Sequence, residues 1–403
     1  MKIVKLSKVV KELESGSRPK GGVSSDTGTI PSLGAEHLSD EGGFKFYKNK
    51  FISIDFFNNL TSGKIKINDI LIVKDGATTG KVSFVNNDFP FINAAINEHV
   101  FRLEIDTQIG CSKFVFFFLK SSEGKKQILN DFRGATVGGI SRQFIESTKI
   151  PLPPIDDQIR IADILTRAEN LIAKRKESIK ALDELLKSTF LEMFGDPVRN
   201  EKGWKKKRID EIAEVRIGPF GSLLHSEDYV ANQIPLINPS HIIEGEISPD
   251  YSLTITPEKY KELESYQLKK DDVVVARRGE IGRCAIVRTD EPLFCGTGSM
   301  FIRITKKYYP LLLQYQIYNT SLKDYLESKA KGVTMKNLNS TTLGNLEVLY
   351  PPIYIQTRFA TIVEKVESLK AKYQQNLDEL EKLYGSLSQQ AFSGEMDLNL
   401  YQK

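Results

Sequence analysis

The sequence predicts a mixed α/β (α+β) fold in which one unit occurs twice and each copy ends in a long helix. Two observations predict it. A segment that begins at Pro153 recurs without a gap from Pro351, 198 residues later. The stretches before the two segments also carry similar strand, hairpin and loop patterns in the same order. Because this period is close to half of the 403 residues, we interpret the chain as a pseudo-twofold duplication.

The first strand pattern in each copy follows a short amphipathic piece and a glycine-containing loop. The Ile-Pro segments at residues 30–38 and 234–242 then predict an edge strand or an entering strand, because proline cannot donate a ladder hydrogen bond.

A β-hairpin is predicted next, at residues 69–85 and 272–287, where two apolar runs flank a glycine-centred turn. The tips carry Lys74, Asp75, Thr78, Thr79 and Lys81 in the first copy and Arg277, Arg278, Glu280 and Arg283 in the second. The charged side chains of such a tip either are only exposed to solvent or contact bases or phosphates.

Helical patches follow at residues 113–132 and 311–330, and the dense aromatic run at 114–118 is typical of core. Each copy then has a polar loop, at residues 133–145 and 331–343. Glycine, hydroxyl and basic residues in such loops suit phosphate contacts, although an ordinary connector is the alternative. The candidate DNA-binding residues from the tips and loops are Arg18, Lys20, Lys74, Thr78, Thr79, Lys81, Arg133, Thr136, Ser141, Arg142, Ser222, Arg277, Arg278, Arg283, Lys331, Thr334, Lys336 and Asn337.

The two long helices are predicted from Pro-Pro starts, which cost no helical hydrogen bond in the first turn. About 40 residues at 1.5 Å each give a helix of roughly 60 Å. The predicted divisions are residues 1–150, a first unit; 151–196, the first helix; 197–350, a second unit; and 351–403, the second helix and a tail.

Apolar residues in both helices recur in steps of three and four, which predicts a seam against another helix. The seam residues are Leu165, Ile172, Ile179, Leu182 and Leu186 in the first helix, and Val366, Leu369, Tyr373, Leu380, Leu383 and Leu387 in the second. Arg175 and Asn376 interrupt the seams, as register-fixing polar residues do. We expect the helices to pair and to hold the two units apart; a long surface helix is the alternative.

The composition is that of a globular protein, with 40% apolar and 27% charged residues. Three scattered cysteines without a CxxC pair argue against a disulfide framework or structural zinc, and predict a reducing, cytoplasmic setting. No signal peptide or membrane-spanning run is predicted. The net charge is +4, and residues 1–150 carry 21 basic against 16 acidic residues, which is compatible with a phosphate-facing surface.

Motifs for chemistry are absent from the sequence, which contains no GxxxxGK[ST], HExxH or GxSxG. No pair of carboxylates is distinguished by its spacing. We therefore predict no catalytic residues and no metal site, and the alternative is a metal-dependent nuclease whose residues leave no clear signature.

Several duplicated motifs together carry a resemblance to a known family. They are PPIDDQIRIA and PPIYIQTRFA at the helix starts, DILIVKDGATTG and DDVVVARRGEIG in the hairpins, GSRP and GPFGS in the opening loops, and GATVGGIS and GVTMKNLN in the polar loops. Over essentially the whole chain, this order resembles the specificity (S) subunit of a Type I restriction–modification system.

The resemblance implies two target recognition domains separated by an antiparallel coiled coil of the two long helices. It implies a non-catalytic subunit that binds double-stranded DNA, reads a bipartite asymmetric target, and directs adenine methylation and restriction. Adenine methyltransferase (M) subunits and a restriction/translocase (R) subunit would be its partners. S-adenosylmethionine, ATP and Mg would then be bound by those partners, with no cofactor on this chain.

Arg277, Arg278 and Arg283 are the best candidates for reading bases in the second unit, because arginine can bond guanine O6 and N7 together. Two alternative functions stay open: the specificity subunit of a Type IIB-like system, and a non-modifying coiled-coil scaffold that bridges DNA.

Overall fold

The structure is a computed structural model that describes residues 1–20, 22–23, 28–134, 138–220, 223–330 and 337–398. The chain divides into two compact units. Unit 1 comprises Met1–Lys176 with Gln375–Lys403, and unit 2 comprises Glu177–Gln374. Each unit therefore contains part of both long helices. Within the described ranges, no helix is both long enough and apolar enough to cross a membrane.

Unit 1 is built from short strands and helices that precede the first long helix. Its strands are β1 (Lys2–Lys5), β2 (Val10–Ser15), β3 (Ile30–Leu33), β4 (Phe51–Ile52), β5 (Ile70–Val73), β6 (Val82–Phe84), β7 (Ala95–Ile96), β8 (Val100–Ile105) and β9 (Lys149–Leu152). Its helices are α1 (Ile54–Asn59), α2 (Ser112–Lys120), α3 (Ser122–Leu129), α4 (Phe144–Ser147) and the first part of α5 (Ile155–Phe194). The second part of a later helix, α11 (Ile353–Ser393), completes it.

The strands of unit 1 form a four-stranded antiparallel sheet in the order β2-β8-β5-β6 and a smaller sheet in the order β4-β3-β7. Strands β1 and β9 pair beside them. One face of the larger sheet packs on α2 and the long helices, where Phe114, Leu165 and Leu387 join one apolar core. The other face packs toward the smaller sheet, where Leu33, Leu71 and other apolar side chains form a second cluster.

Unit 2 repeats this plan. Its strands are β10 (Lys206–Arg208), β11 (Ala213–Ile217), β12 (Tyr229–Val230), β13 (Ile234–Ile237), β14 (Ile242–Ile243), β15 (Glu246–Ile247), β16 (Thr254–Ile255), β17 (Gln267–Leu268), β18 (Val273–Ala276), β19 (Cys284–Ile286), β20 (Leu293–Cys295), β21 (Ser299–Ile304) and β22 (Glu347–Leu349). Its helices are α6 (Ile209–Ile212), α7 (Pro257–Glu262), α8 (Pro310–Tyr318), α9 (Thr320–Lys329) and α10 (Ser340–Gly344), with parts of α5 and α11. The order β11-β21-β18-β19 matches β2-β8-β5-β6, and β10-β22 matches β1-β9.

The predicted hairpins are present as β5–β6 and β18–β19. The Ile-Pro strands, however, are not edge strands. Strand β3 lies between β4 and β7, and β13 lies between β16 and β20. Pro31 is tolerated inside the sheet because its parallel pairing with β7 begins only at Ser32, and Pro235 likewise precedes the β20 pairing at Leu236.

Each predicted helical patch divides into two consecutive helices. The Ser121 side chain accepts a hydrogen bond from the Gly124 amide at the start of α3, and Asn319 accepts one from Ser321 at the start of α9. These caps satisfy orphan amides and turn the chain between the helices. The aromatic run at Phe114 and Phe116–Phe118 is core, as predicted.

The long helices pack together in antiparallel fashion. In unit 1, Leu165 from early in α5 joins the same apolar core as Leu387 and Ala391 from late in α11. In unit 2, the ring centroid of Phe359 lies 5.9 Å from that of Phe190 and 5.2 Å from that of Phe194. The fold class predicted from the duplication is therefore confirmed.

The repeated glutamine near each helix start fastens that helix to the preceding element. Gln158 accepts a hydrogen bond from the Cys111 amide at 2.9 Å and donates to the Pro153 carbonyl at 2.9 Å. Gln356 accepts from the Tyr309 amide at 3.0 Å and donates to the Pro351 carbonyl at 2.8 Å. Both glutamines are 1% exposed, so this shared motif has a structural role inside each unit.

The predicted seam of α5 lies on its inner side, since Leu165 and Leu186 are buried and Ile172, Ile179 and Leu182 are half-buried. In α11, Leu387 is buried, and Val366, Tyr373 and Leu380 are half-buried.

Two predicted positions of α11 need correction, because Leu369 is 38% exposed and Leu383 is 54% exposed. The inner face of α11 instead carries Lys370, Leu377 and Tyr384. Each lies one residue after a position of the predicted seam. Lys370 bonds Asp183 at 2.6 Å, and the Tyr384 hydroxyl donates to Glu169 at 2.7 Å. Long amphipathic side chains cover apolar surface with their stems, which let them replace leucine here.

A buried ion network joins the central strands of unit 1. The Arg102 side chain is 1% exposed and its Nε lies 2.5 Å from Asp69. The same guanidinium contacts Glu14 at 2.8 Å and Glu104 at 2.7 Å. Burial raises the pKa of Asp69, so that carboxylate depends on Arg102 for its charge. Hydrogen bonds from Lys11 lead the contacts that lower the pKa of Glu104 to about 2.

We predict that Arg102→Met destabilises unit 1 by about 3–5 kcal/mol, because it leaves buried carboxylates without their partner. Lys11→Met is the control, since Lys11 belongs to the same network but its side chain is 64% exposed. Amide hydrogen exchange in β5 and β8 of the full chain measures the effect. Equal protection in the two variants would contradict this account of the network.

Candidate nucleic-acid interface

In unit 1, the tip of the β5–β6 hairpin docks on the polar loop that follows α3. The Ile140 amide donates to the Lys74 carbonyl at 2.8 Å, and the Gly76 amide donates to the Gly138 carbonyl at 3.2 Å. Asp75 and Gly139 form an antiparallel bridge between the two segments. The structure therefore brings together the hairpin and the loop that the sequence singled out separately.

Unit 2 makes the same junction with different side chains. The Leu338 amide donates to the Arg277 carbonyl at 2.9 Å, and the backbones of Arg278 and Asn337 form an antiparallel bridge. These positions correspond to Lys74, Asp75, Gly139 and Ile140 of unit 1. A shared backbone frame thus presents a different pair of tip residues in each unit.

The unit 1 tip combines both signs of charge. The Lys74 ammonium donates to the Glu98 carbonyl at 2.8 Å, and Arg18 lies 2.9 Å from the Glu98 carboxylate. The His99 ring lies 2.5 Å from Asp75. Arg18 is 60% exposed, whereas Lys74 is 29% exposed, so Arg18 is the more accessible cation of this group.

The other unit 1 candidates divide by their accessibility. The exposed ones are Lys20, Thr78, Arg133 and Arg142. Three others are held by local partners: Lys81 pairs with Asp40 at 3.0 Å, Thr79 donates to the Gly76 carbonyl at 2.7 Å, and Ser141 donates to Asp131 at 2.7 Å. Arg133 also reaches Asp131, at 2.9 Å, but remains 71% exposed.

The unit 2 tip places its two consecutive arginines in different environments. Arg277 is 9% exposed, donates to Asn337 at 3.0 Å, and lies 5.6 Å from the ring centroid of Phe220. Burial, followed by the charge of Arg278, lowers the pKa of Arg277. Arg278 is exposed. Of the two, Arg278 is therefore the side chain that can reach an external ligand.

Arg283 lies across the same hairpin turn, where it donates to the Pro239 carbonyl at 3.2 Å and pairs with Glu280 at 2.5 Å. Lys323 also bonds Glu280, and Lys323 with Arg283 lowers the pKa of Glu280 to about 2. Arg283 is 32% exposed, and much of its bonding capacity is used within unit 2.

Five candidates lie outside the described residues, namely Thr136, Ser222, Lys331, Thr334 and Lys336. Sequence reasoning missed the roles of His99, Glu98 and Phe220, each of which contacts a tip residue or its neighbour. Residues 98 and 99 precede β8, and their approach to the tip depends on β5 and β8 being neighbours, which the local pattern did not specify.

Among the described residues, no group of three or more His, Cys, Asp or Glu side chains is arranged to hold a metal ion. Cys284 and Cys295 are buried, and burial raises the pKa of each thiol above its ordinary range.

The fold and the tips define a class of duplicated α/β proteins whose units each close on a pair of long helices. A family model for the type I restriction modification DNA specificity domain matches residues 1–182 and again residues 201–382. The chain therefore belongs to the family of type I restriction–modification specificity proteins.

Curated relatives are specificity subunits, and solved structures share the fold. The MjaVIII specificity subunit of Methanocaldococcus jannaschii is 24% identical, over 94% of this chain and 89% of the relative. The EcoBI specificity subunit of Escherichia coli is 22% identical, over 75% of this chain and 69% of the relative. The S subunit from M. genitalium has the same fold, with a TM-score of 0.57 and 16% identity over 97% of this chain and 96% of that one. A chain from a structural study of complex assembly in the type I R-M system has a TM-score of 0.60 and 17% identity, over 98% of both chains.

We predict that Gly139→Ala separates the unit 1 tip from its loop. A Cβ at residue 139 would lie 2.7 Å from the Lys74 carbonyl oxygen and 2.8 Å from the Asp75 Cβ. The amides of Gly76 and Ile140 should then exchange at least about tenfold faster, because their hydrogen bonds join the two segments. Gly43→Ala is the control, since its Cβ would meet nothing within 4 Å. Unchanged exchange in Gly139→Ala would show that the tip does not depend on this close approach.

Proposed function

We propose that this chain is the non-catalytic specificity subunit of a type I restriction–modification system. Unit 1 and unit 2 act as target recognition domains, each reading one half of a bipartite asymmetric sequence in double-stranded DNA. The observation that carries the proposal is that each family match contains a hairpin tip on the same frame but with different charged residues. Two different readers on one chain imply a target whose halves differ.

The chemistry of DNA divides the candidate residues into two groups. Exposed cations such as Arg18, Lys20 and Arg133 suit phosphates, because phosphate contacts need charge and reach but carry no sequence information. Arg278 suits a base, since an exposed guanidinium at the end of a stiff hairpin can bond guanine O6 and N7 together. The Arg277 side chain donates a hydrogen bond to the Asn337 side chain, which adds to the backbone contacts that hold the tip.

The partners follow from what this chain lacks in sequence motifs and from its family. Adenine methyltransferase (M) subunits would perform the methylation and hold S-adenosylmethionine. A restriction/translocase (R) subunit would cleave DNA, using ATP and Mg. This chain would direct both activities by binding the target, with no cofactor of its own.

The paired helices serve as a ruler in this proposal. An antiparallel helix pair with a three-four seam resists bending and has a length fixed by its residue count. The number of unread base pairs between the half-sites would therefore depend on the helices and not on the tips.

We predict that the chain, expressed with a type I adenine methyltransferase subunit, produces a bipartite methylated-adenine motif that the methyltransferase alone does not.

Arg278→Gln should relax one guanine-containing position in one half of that motif, because a bidentate arginine contributes about 1–3 kcal/mol of discrimination. Lys306→Gln, which neutralises an exposed cation beyond β21, is the control. Methylome sequencing measures both. An absent motif, with the two proteins shown to be associated, would contradict the proposed function.

We also predict that seven residues inserted into both helices, after Lys176 and after Gln374, lengthen the spacer and leave both half-sites unchanged. Seven residues add about 10 Å of helix, or roughly three base pairs at 3.4 Å each. An insertion into one helix alone is the control, since it breaks the seam and should abolish methylation. A spacer that stays constant with both insertions would contradict the ruler.

A further inference from the structure

Asp75 and Arg278 occupy the same place in the two units but carry opposite charges. Each lies two residues beyond the end of the first hairpin strand, which is Val73 in β5 and Ala276 in β18. Each also forms a backbone bridge to the polar loop, Asp75 to Gly139 and Arg278 to Asn337. The residue before each is anchored in the same way, since the Lys74 amide donates to the His99 carbonyl and the Arg277 amide to the Gly298 carbonyl. The frame is therefore common, and the side chain is what differs.

The Asp75 carboxylate is oriented by its neighbours. One oxygen lies 2.5 Å from His99 Nδ1, and the other lies 3.6 Å from Lys74 Nζ. Lys74 is itself anchored, because it donates to the Glu98 carbonyl at 2.8 Å and lies 5.8 Å from the Phe101 ring centroid. The Asp75 side chain remains 23% exposed. This arrangement holds a carboxylate in a defined direction at an accessible tip.

A carboxylate at that position has a distinct preference among bases. It is repelled by phosphates and by the O6 and N7 acceptors of guanine, whereas it accepts hydrogen bonds from the exocyclic amino groups of cytosine N4 and adenine N6. Each carboxylate oxygen has two lone-pair positions, so the contact with His99 leaves acceptor capacity. The tip pairs two carboxylates with two cations, Asp75 with Lys74 and Glu98 with Arg18, so the formal charges of these four side chains balance.

We propose that Asp75 is a specificity-determining residue of unit 1, which accepts a hydrogen bond from the amino group of a cytosine or an adenine in the major groove. At the corresponding position, Arg278 of unit 2 favours guanine. His99 is a positioning residue that aims the Asp75 carboxylate. This inference rests on the proposed function and adds the class of base that unit 1 reads.

The experiment uses the full chain with its adenine methyltransferase partner and compares methylated motifs by methylome sequencing. Asp75→Ala should make one position in one half-site degenerate, with discrimination reduced roughly 5- to 150-fold, which corresponds to the loss of one good base contact. Asp75→Asn keeps the size of the side chain and should shift that position toward adenine, because an amide matches adenine N6 and N7 together. Asp88→Ala removes an exposed carboxylate from the segment just after β6, away from the tip, and serves as the control.

The outcomes separate the inference from the proposed function. A wild-type motif with a change confined to one position, in the half that Arg278→Gln leaves intact, supports the role of Asp75. A wild-type motif that neither Asp75 variant alters overturns that role and leaves the proposed function standing. Absence of any wild-type motif contradicts the proposed function, and the inference falls with it.

Discussion

The structure depends on one constraint: the core of each unit closes only when parts of both long helices are present. In unit 1, Leu165 of α5 shares a core with Leu387 and Ala391 of α11. In unit 2, Phe194 and Phe359 meet edge to face at the other ends of the same helices. A helix of this length gains most of its stability from such packing and little from propensity alone. The helices are therefore parts of the two cores as well as connections between them.

Within each unit, a fixed frame carries a variable tip. The frame includes the central Asp–Arg pair, Asp69 with Arg102 in unit 1 and Asp272 with Arg303 in unit 2, together with the glutamine that fastens each long helix. In both units backbone hydrogen bonds join the tip to its loop, and such bonds can form with different side chains at Asp75 and Arg278. Tip residues can consequently change between copies without disturbing the fold, which is the property that a reader of different DNA sequences requires.

The sequence was sufficient to predict the duplication, the long helices and the hairpins, because each leaves a local or repeated pattern. The phase of the α11 seam was not predictable from hydrophobicity, since Lys370 and Tyr384 contact α5 whereas the more apolar Leu369 and Leu383 are exposed. The approach of His99 to Asp75 also escaped prediction. It depends on the pairing of β5 with β8, which brings together residues 24 positions apart in the sequence.

The central claim, that the hairpin tips read DNA, is tested most directly by photo-cross-linking from defined positions. A photoreactive side chain at Thr78, exposed at the unit 1 tip, is compared with one at Asn87, exposed near the opposite end of the same hairpin. In the complex with methyltransferase and target DNA, the account predicts cross-links from residue 78 to bases of a single half-site and few from residue 87. Equal cross-linking from both positions, or none from the tip, would contradict it.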